Sequence, residues 1–114
     1  MKKIEAIIRK EKFEDVKKAL HDADIDFLTF WDVKGQGTEK QERIFRGRVY
    51  DVSTIDRLNL SFVIRDINEE KAIDAILKNA YTGESGDGRI FISTIDQSIR
   101  IRTGERGNET LYEK

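Results

Sequence analysis

Gly83, Gly86 and Gly88 lie within one short stretch and are followed directly by Arg89, a grouping able to hold an anion. Each glycine lacks the Cβ that opposes positive φ and close approach. Successive backbone N–H groups can therefore converge on a phosphate, with a guanidinium fork beside them. Thr82 and Ser85 add hydroxyls, and Asp87 adds a carboxylate. The same residues also suit an ordinary helix-to-strand connection, with Gly83 capping the helix and Gly86 and Gly88 in a turn. Glycine spacing alone leaves both readings open. Arg100 and Arg102 form a second cationic feature. Two-residue spacing on a strand places both guanidinium groups on one face, with Ile99 and Ile101 on the other, which suits either a polyphosphate or a charge-blunted sheet edge. For proton transfer only Asp87, Glu39 and His21 present themselves, and no catalytic constellation is readable. His21 reads as a solvated surface histidine without a nearby partner.

Alternating apolar positions predict a first strand over residues 3–9, and a helix over 11–24 carries Phe13, Val16, Ala19, Leu20 and Ala23 on one face. A second strand covers 26–33, with Trp31 read as packing. The pattern dissolves from 34 to 56 into a long polar loop, which in a compact domain is functional or disordered. A strand over 58–65, a helix over 69–81 and a strand over 90–95 follow, with a further short strand over 97–103 and a polar tail from 107 to 114. The resulting βαββαβ order predicts an α+β fold of the ferredoxin-like type, an antiparallel sheet with two helices on one face. Two similar halves suggest an internal βαβ duplication.

At 114 residues the chain is expected to form one domain, of a size at which an oligomer interface helps. Charged and hydrophobic residues each make up 38 % and the net charge is −1, so no basic field advertises nucleic acid or an anionic membrane. With no cysteine and one histidine, neither a thiolate nor a His-rich metal site can be built. No apolar run approaches membrane-spanning length, and the cytoplasm is the expected compartment.

Thr82-x-x-x-Gly86-Asp87-Gly88-Arg89-Ile90-Phe91-Ile92 resembles the C-terminal signature of the PII signal-transduction proteins, small sensors of nitrogen status. Residues 1–9 resemble that family's first strand, Asp32-Val33-Lys34-Gly35-Gln36-Gly37 the start of its long T-loop, and Ile99-Arg100-Ile101-Arg102-Thr103-Gly104-Glu105 its last strand and turn. The resemblance implies a homotrimer with ATP or ADP bound in clefts between subunits. Gly37, Thr38 and Glu39 with Gly86, Asp87, Gly88 and Arg89 would line one wall; Thr29 and Val63 would flank the adenine; and Arg100 and Arg102 of the next subunit would reach the phosphates. It makes residues 35–56 the T-loop, which meets an ammonium transporter or a nitrogen-assimilation enzyme. It also places Tyr50, within Arg46-Gly47-Arg48-Val49-Tyr50, at a position nucleotidylylated in some members.

The chain departs from the family in that loop. Thr38-Glu39 replaces the usual arginine-glutamine pair, whose glutamine helps to hold Mg²⁺ beside ATP and 2-oxoglutarate. Glu39 keeps a hard oxygen donor for the metal but repels a dicarboxylate. Arg57 replaces a lysine that pairs with an effector carboxylate or phosphate, preserving charge and changing geometry. A divergent or nitrogenase-regulating branch that senses ATP and ADP without 2-oxoglutarate is therefore a second reading. From other classes, a small nucleotide hydrolase on the same scaffold lacks a readable catalytic set. An RNA-binding module lacks the expected basic surface.

Overall fold

The computed structural model describes residues 1–45 and 48–111, with the backbone alone described over 37–53 inside those limits. Its elements run β1 (Lys2–Ile8), α1 (Phe13–Asp22), β2 (Thr29–Phe45), β3 (Arg48–Ile64), α2 (Glu69–Ala80) and β4 (Arg89–Thr94). The sheet is antiparallel in the spatial order β2-β3-β1-β4. This is the expected ferredoxin-like arrangement.

Alternation sorts the sheet into two faces. Ile4, Ala6 and Ile8 of β1 and Leu58, Leu60, Phe62 and Ile64 of β3 are buried beneath Phe13, Val16 and Leu20 of α1 and Ala72, Ile76 and Ala80 of α2. Burying each large aliphatic chain contributes about 1.5–3 kcal/mol, so this one layer holds the helices to the sheet. The opposite face carries Trp31 and Phe91, both substantially exposed. Each half also repeats a local device: Arg9 and Arg65 end a strand in extended conformation, a single 3₁₀ turn follows, and the helix begins. The two halves thus share the same strand-to-helix connection.

Helix α1 ends without a glycine. The N–H of Ile25 donates to Leu20 O at 2.8 Å and that of Asp24 to His21 O at 2.9 Å, the paired bonds of a Schellman cap. Ile25 packs into the core beside Leu20, as that motif favours. The left-handed position falls on Asp24, at φ 63°. Since only glycine takes that conformation without a Cβ penalty, Asp24→Gly is expected to stabilise the fold by about 0.5–1 kcal/mol. A thermal melt would show the midpoint rising by a few degrees; a lower midpoint would mean that the aspartate side chain holds the cap.

Two expectations are corrected. Residues 34–56, read as a polar loop, are largely ladder backbone where they are described: β2 and β3 stay in register from Thr29↔Ser61 to Gln36↔Thr54, and again from Gln41↔Val52 to Phe45↔Arg48. Polarity and glycine suggested a loop, but a ladder needs only backbone donors and acceptors, and no proline removes one here. The break in register sets residues 37–40 of β2 against Ser53 alone, a bulge at the base of the projecting hairpin. Residues 97–103, read as a strand, form a tight turn with an isolated bridge between Ile99 and Arg106. The Ile-Arg-Ile-Arg alternation mimicked a strand, but Gly104 at φ 74° and Gly107 at φ 88° fold the segment back on itself. Ile99 and Ile101, expected on an apolar face, are exposed, Ile101 completely.

Candidate functional site

A cavity of about 940 Å³ opens where the hairpin leaves the sheet, within the range that takes a nucleotide-sized ligand. Gly35 and Gln36 of β2, Ile55 and Arg57 of β3, Ile7 of β1, Arg89 and Phe91 of β4 and the loop from Glu84 to Gly88 line it. The topology dictates this meeting. The end of β1, where its pairing with β3 stops at Ile8↔Leu58, and the start of β4 at Arg89↔Ile7 lie together, and the α2–β4 connection must cross them.

That connection is shaped from within by Asp87. Its carboxylate accepts hydrogen bonds from the Thr82 hydroxyl, the Thr82 N–H at 2.8 Å and the Gly83 N–H at 3.0 Å, and pairs with Arg9 Nε at 3.1 Å. Gly83, Gly86 and Gly88 take φ of 86°, 94° and 102°, conformations that side chains resist. Gly88 in addition passes so close to β1 that a Cβ would lie 1.7 Å from Ile7 O. The N–H groups of Thr82, Gly83 and Glu84 are thus engaged inside the loop. Those of Gly86 and Asp87 have no partner among the described residues.

The donors around Asp87, with the Thr82 hydroxyl and N–H foremost, hold its carboxyl well below the ordinary carboxylate value. A lowered value in the folded state stabilises the fold fully above the unfolded value near about 4, and the contribution fades as pH falls below it. Comparing Asp87→Asn with the parent in denaturant melts should therefore show a gap that is constant at neutral pH and narrows from about pH 4 downward. A gap independent of pH across that window would remove the carboxylate from this role.

The arginines divide by electrostatics. Arg9 is neutralised by Asp87. Arg57 donates from Nε and Nη2 to Gly86 O at 3.2 and 3.1 Å and from Nη1 to Asp56 O at 2.8 Å, all uncharged acceptors. Arg57 and the exposed Arg89 therefore bring charge to the cavity that these bonds leave uncompensated, against Glu84 on its rim.

The remaining sequence-picked residues lie elsewhere. Thr29, its hydroxyl 3.4 Å from Ser61 O, and Val63, opposite Lys3, sit on the open face toward the other end of the sheet. Arg100 binds Glu105 Oε2 at 3.1 Å and Glu109 O at 3.1 Å, and Arg102 stands exposed in the turn beside it. Arg65 Nη2, 3.4 Å from Asn108 O, ties that segment to the far end of β3. From Arg57 to Val63 is about 20 Å along the strand, so one chain does not bring the two groups together. Gly37 contributes backbone to the bulge, whereas the side chains of Thr38, Glu39 and Tyr50, and all of Arg46 and Gly47, lie outside the described residues. His21, expected to lack a partner, is bonded at Nδ1 to Asp26, and that bond raises its pKa; the pair is remote from the cavity. Sequence reading missed Arg9, whose partners are 76 and 78 residues away. Only its place at a strand end facing the glycine-rich connection could have signalled it.

The family model described as Nitrogen regulatory protein P-II matches residues 1–105. Curated proteins named Nitrogen regulatory protein P-II from Rhodospirillum rubrum, Nostoc punctiforme and Azospirillum brasilense are 44 %, 45 % and 41 % identical over 112 residues. Each alignment covers 97 % of this chain and 100 % of the relative.

Proposed function

The chain belongs to the nitrogen regulatory protein P-II family, and from that premise we propose that it is a homotrimeric, cytoplasmic signal-transduction protein which binds ATP or ADP in clefts between subunits. The observation that carries this reading is the separation of the two groups. Arg57, Arg89, Gly86, Asp87 and Gly88 gather at one end of the sheet, while Thr29, Val63, Arg100 and Arg102 stand toward the other. A ligand that needs both must lie between two copies, one copy supplying the cavity and its neighbour the adenine-flanking and C-terminal residues. A polyphosphate would meet Arg57 and Arg89 as uncompensated cations, and the loop amides of Gly86 and Asp87 as donors.

ATP and ADP differ in charge and reach, so they would bias the base of the hairpin differently, and the hairpin would carry that difference to an ammonium transporter or a nitrogen-assimilation enzyme. Tyr50 on β3 is the proposed modification position. A regulator rather than an enzyme is the better reading, because Asp87 is held as a braced carboxylate and His21 is remote. The second reading, an adenylate sensor without 2-oxoglutarate, is favoured by Glu39, whose carboxylate would repel a dicarboxylate beside the nucleotide.

Calorimetric titration with ATP and ADP, each with and without Mg²⁺ and 2-oxoglutarate, alongside light scattering, tests both readings. One nucleotide per subunit and three times the chain mass is the expected result. Binding of 2-oxoglutarate only with Mg-ATP present would assign Glu39 to the metal, and nucleotide binding without 2-oxoglutarate would favour the second reading. No heat with either nucleotide would end the proposal.

A further inference from the structure

Arg9 stands directly after β1, with its side chain 17 % exposed beside that of Asp87 at 24 %. It makes two bonds to different parts of one loop: Nε to Asp87 Oδ1 at 3.1 Å, and Nη2 to Ser85 O at 2.9 Å. Arg57 takes the next carbonyl, that of Gly86, from the neighbouring strand. The fit leaves no slack, because a Cβ on Gly86 would lie 3.0 Å from Arg57 Nη2 and 3.4 Å from Arg9 Nη2.

Across a planar trans peptide the carbonyl and the following N–H point in opposite directions. Holding Ser85 O on Arg9 therefore sets the direction of the Gly86 N–H, and holding Gly86 O on Arg57 sets that of Asp87. Neither of these amides has a partner among the described residues. The two arginines are not equivalent, because Arg9 faces a carboxylate and Arg57 faces only carbonyls. The other half of the chain repeats the brace: Arg65, placed after β3 as Arg9 is after β1, lies 3.4 Å from Asn108 O in the C-terminal segment.

We infer that Arg9 is a positioning residue for the anion site: it fixes the loop that carries the Gly86 and Asp87 amides, and acts on the ligand through that loop and not by contact. The inference rests on the anion-binding reading above and adds how that site is held in shape. Lysine at position 9 keeps the charge but is a single point donor, unable to grip Asp87 and Ser85 O as a fork does. Its effect thus separates shape from charge.

The test uses the full chain with ATP and, separately, inorganic tripolyphosphate as probes, in Arg9→Lys, Asp87→Asn and the double variant. Arg9→Lys is expected to lower affinity for both probes about five- to tenfold, and to do little more once Asp87 is already asparagine, since coupled residues do not add. In ligand-free protein, amide exchange at Gly86 and Asp87 should accelerate in Arg9→Lys. Additive losses together with unchanged ligand-free exchange would overturn the inference and make Arg9 a direct ligand contact; so would parent-like affinity in Arg9→Lys. Should Asp87→Asn fail to fold, the exchange measurement on Arg9→Lys decides alone. If the parent itself binds neither probe, the nucleotide reading falls, while exchange still decides whether Arg9 braces the loop.

Discussion

Alanine at position 88 is expected to destabilise the fold by about 2–5 kcal/mol, the sum of overpacking against a fixed backbone and a left-handed φ forced on a side chain. The added Cβ would fall 1.7 Å from Ile7 O and 2.8 Å from Ile7 C. Both are main-chain atoms of β1, a strand paired on both sides by β3 and β4, so neither can swing away as the end of a side chain would. Relief requires β4 to part from β1 or the loop to leave the cavity, and either would also damage the ligand site. Denaturant unfolding of Gly88→Ala beside Gly104→Ala separates the two causes. Gly104 has φ 74° but nothing within 4 Å of its would-be Cβ, so it reports conformational strain alone, about 1–2 kcal/mol. Equal losses at both positions would show that the contact with β1 yields without resistance.

Replacing both Arg57 and Arg89 by glutamine should reduce ATP affinity by about two to four orders of magnitude, since each charge-assisted hydrogen bond contributes about 1.5–3 kcal/mol. These two side chains line the cavity, and Arg57's acceptors there are the neutral carbonyls of Gly86 and Asp56. The loss should be larger for ATP than for ADP, and the salt dependence of binding should flatten, because charges that attract an anion are screened by ions. Neither side chain belongs to the buried core, so thermal midpoints without ligand should move little. Affinity within a factor of three of the parent would place the phosphates elsewhere.

What the sequence disclosed follows from what its patterns encode. Periodicity reports burial, so β1, α1, α2 and the end of β3 were legible from Ile4, Val16, Ile76 and Leu60, which fill the shared core. The glycine loop was legible because glycine takes positive φ without a Cβ penalty, as Gly86 and Gly88 do. The hairpin was not, because its two strands project beyond the core and satisfy each other through backbone bonds that carry no side-chain signature. Arg100 and Arg102 misled for the opposite reason. Their alternation looks like a strand, while Gly104 and the Arg100–Glu105 pair make it a turn. The roles of Arg9, Arg57 and Arg89 were likewise hidden: an arginine's acceptor, carboxylate or carbonyl, is decided by chain segments far away in sequence.

The hairpin is also a lever. β3 keeps β1 as a neighbour only as far as Ile8↔Leu58, yet remains paired with β2 down to Phe45↔Arg48. About ten residues of strand thus project past the fulcrum, an arm of about 34 Å at ~3.4 Å per residue. Arg57, whose guanidinium grips Gly86 O, is the first residue beyond that fulcrum. Effort is applied on an arm of one residue and read out on an arm of ten, so a tilt of about 10° at the base sweeps the far end through about 6 Å at that spacing. Such a mechanical ratio favours stroke over force. A lever of this kind is built to indicate, and the stiffness that turns its position into a firm grip has to come from whatever it touches.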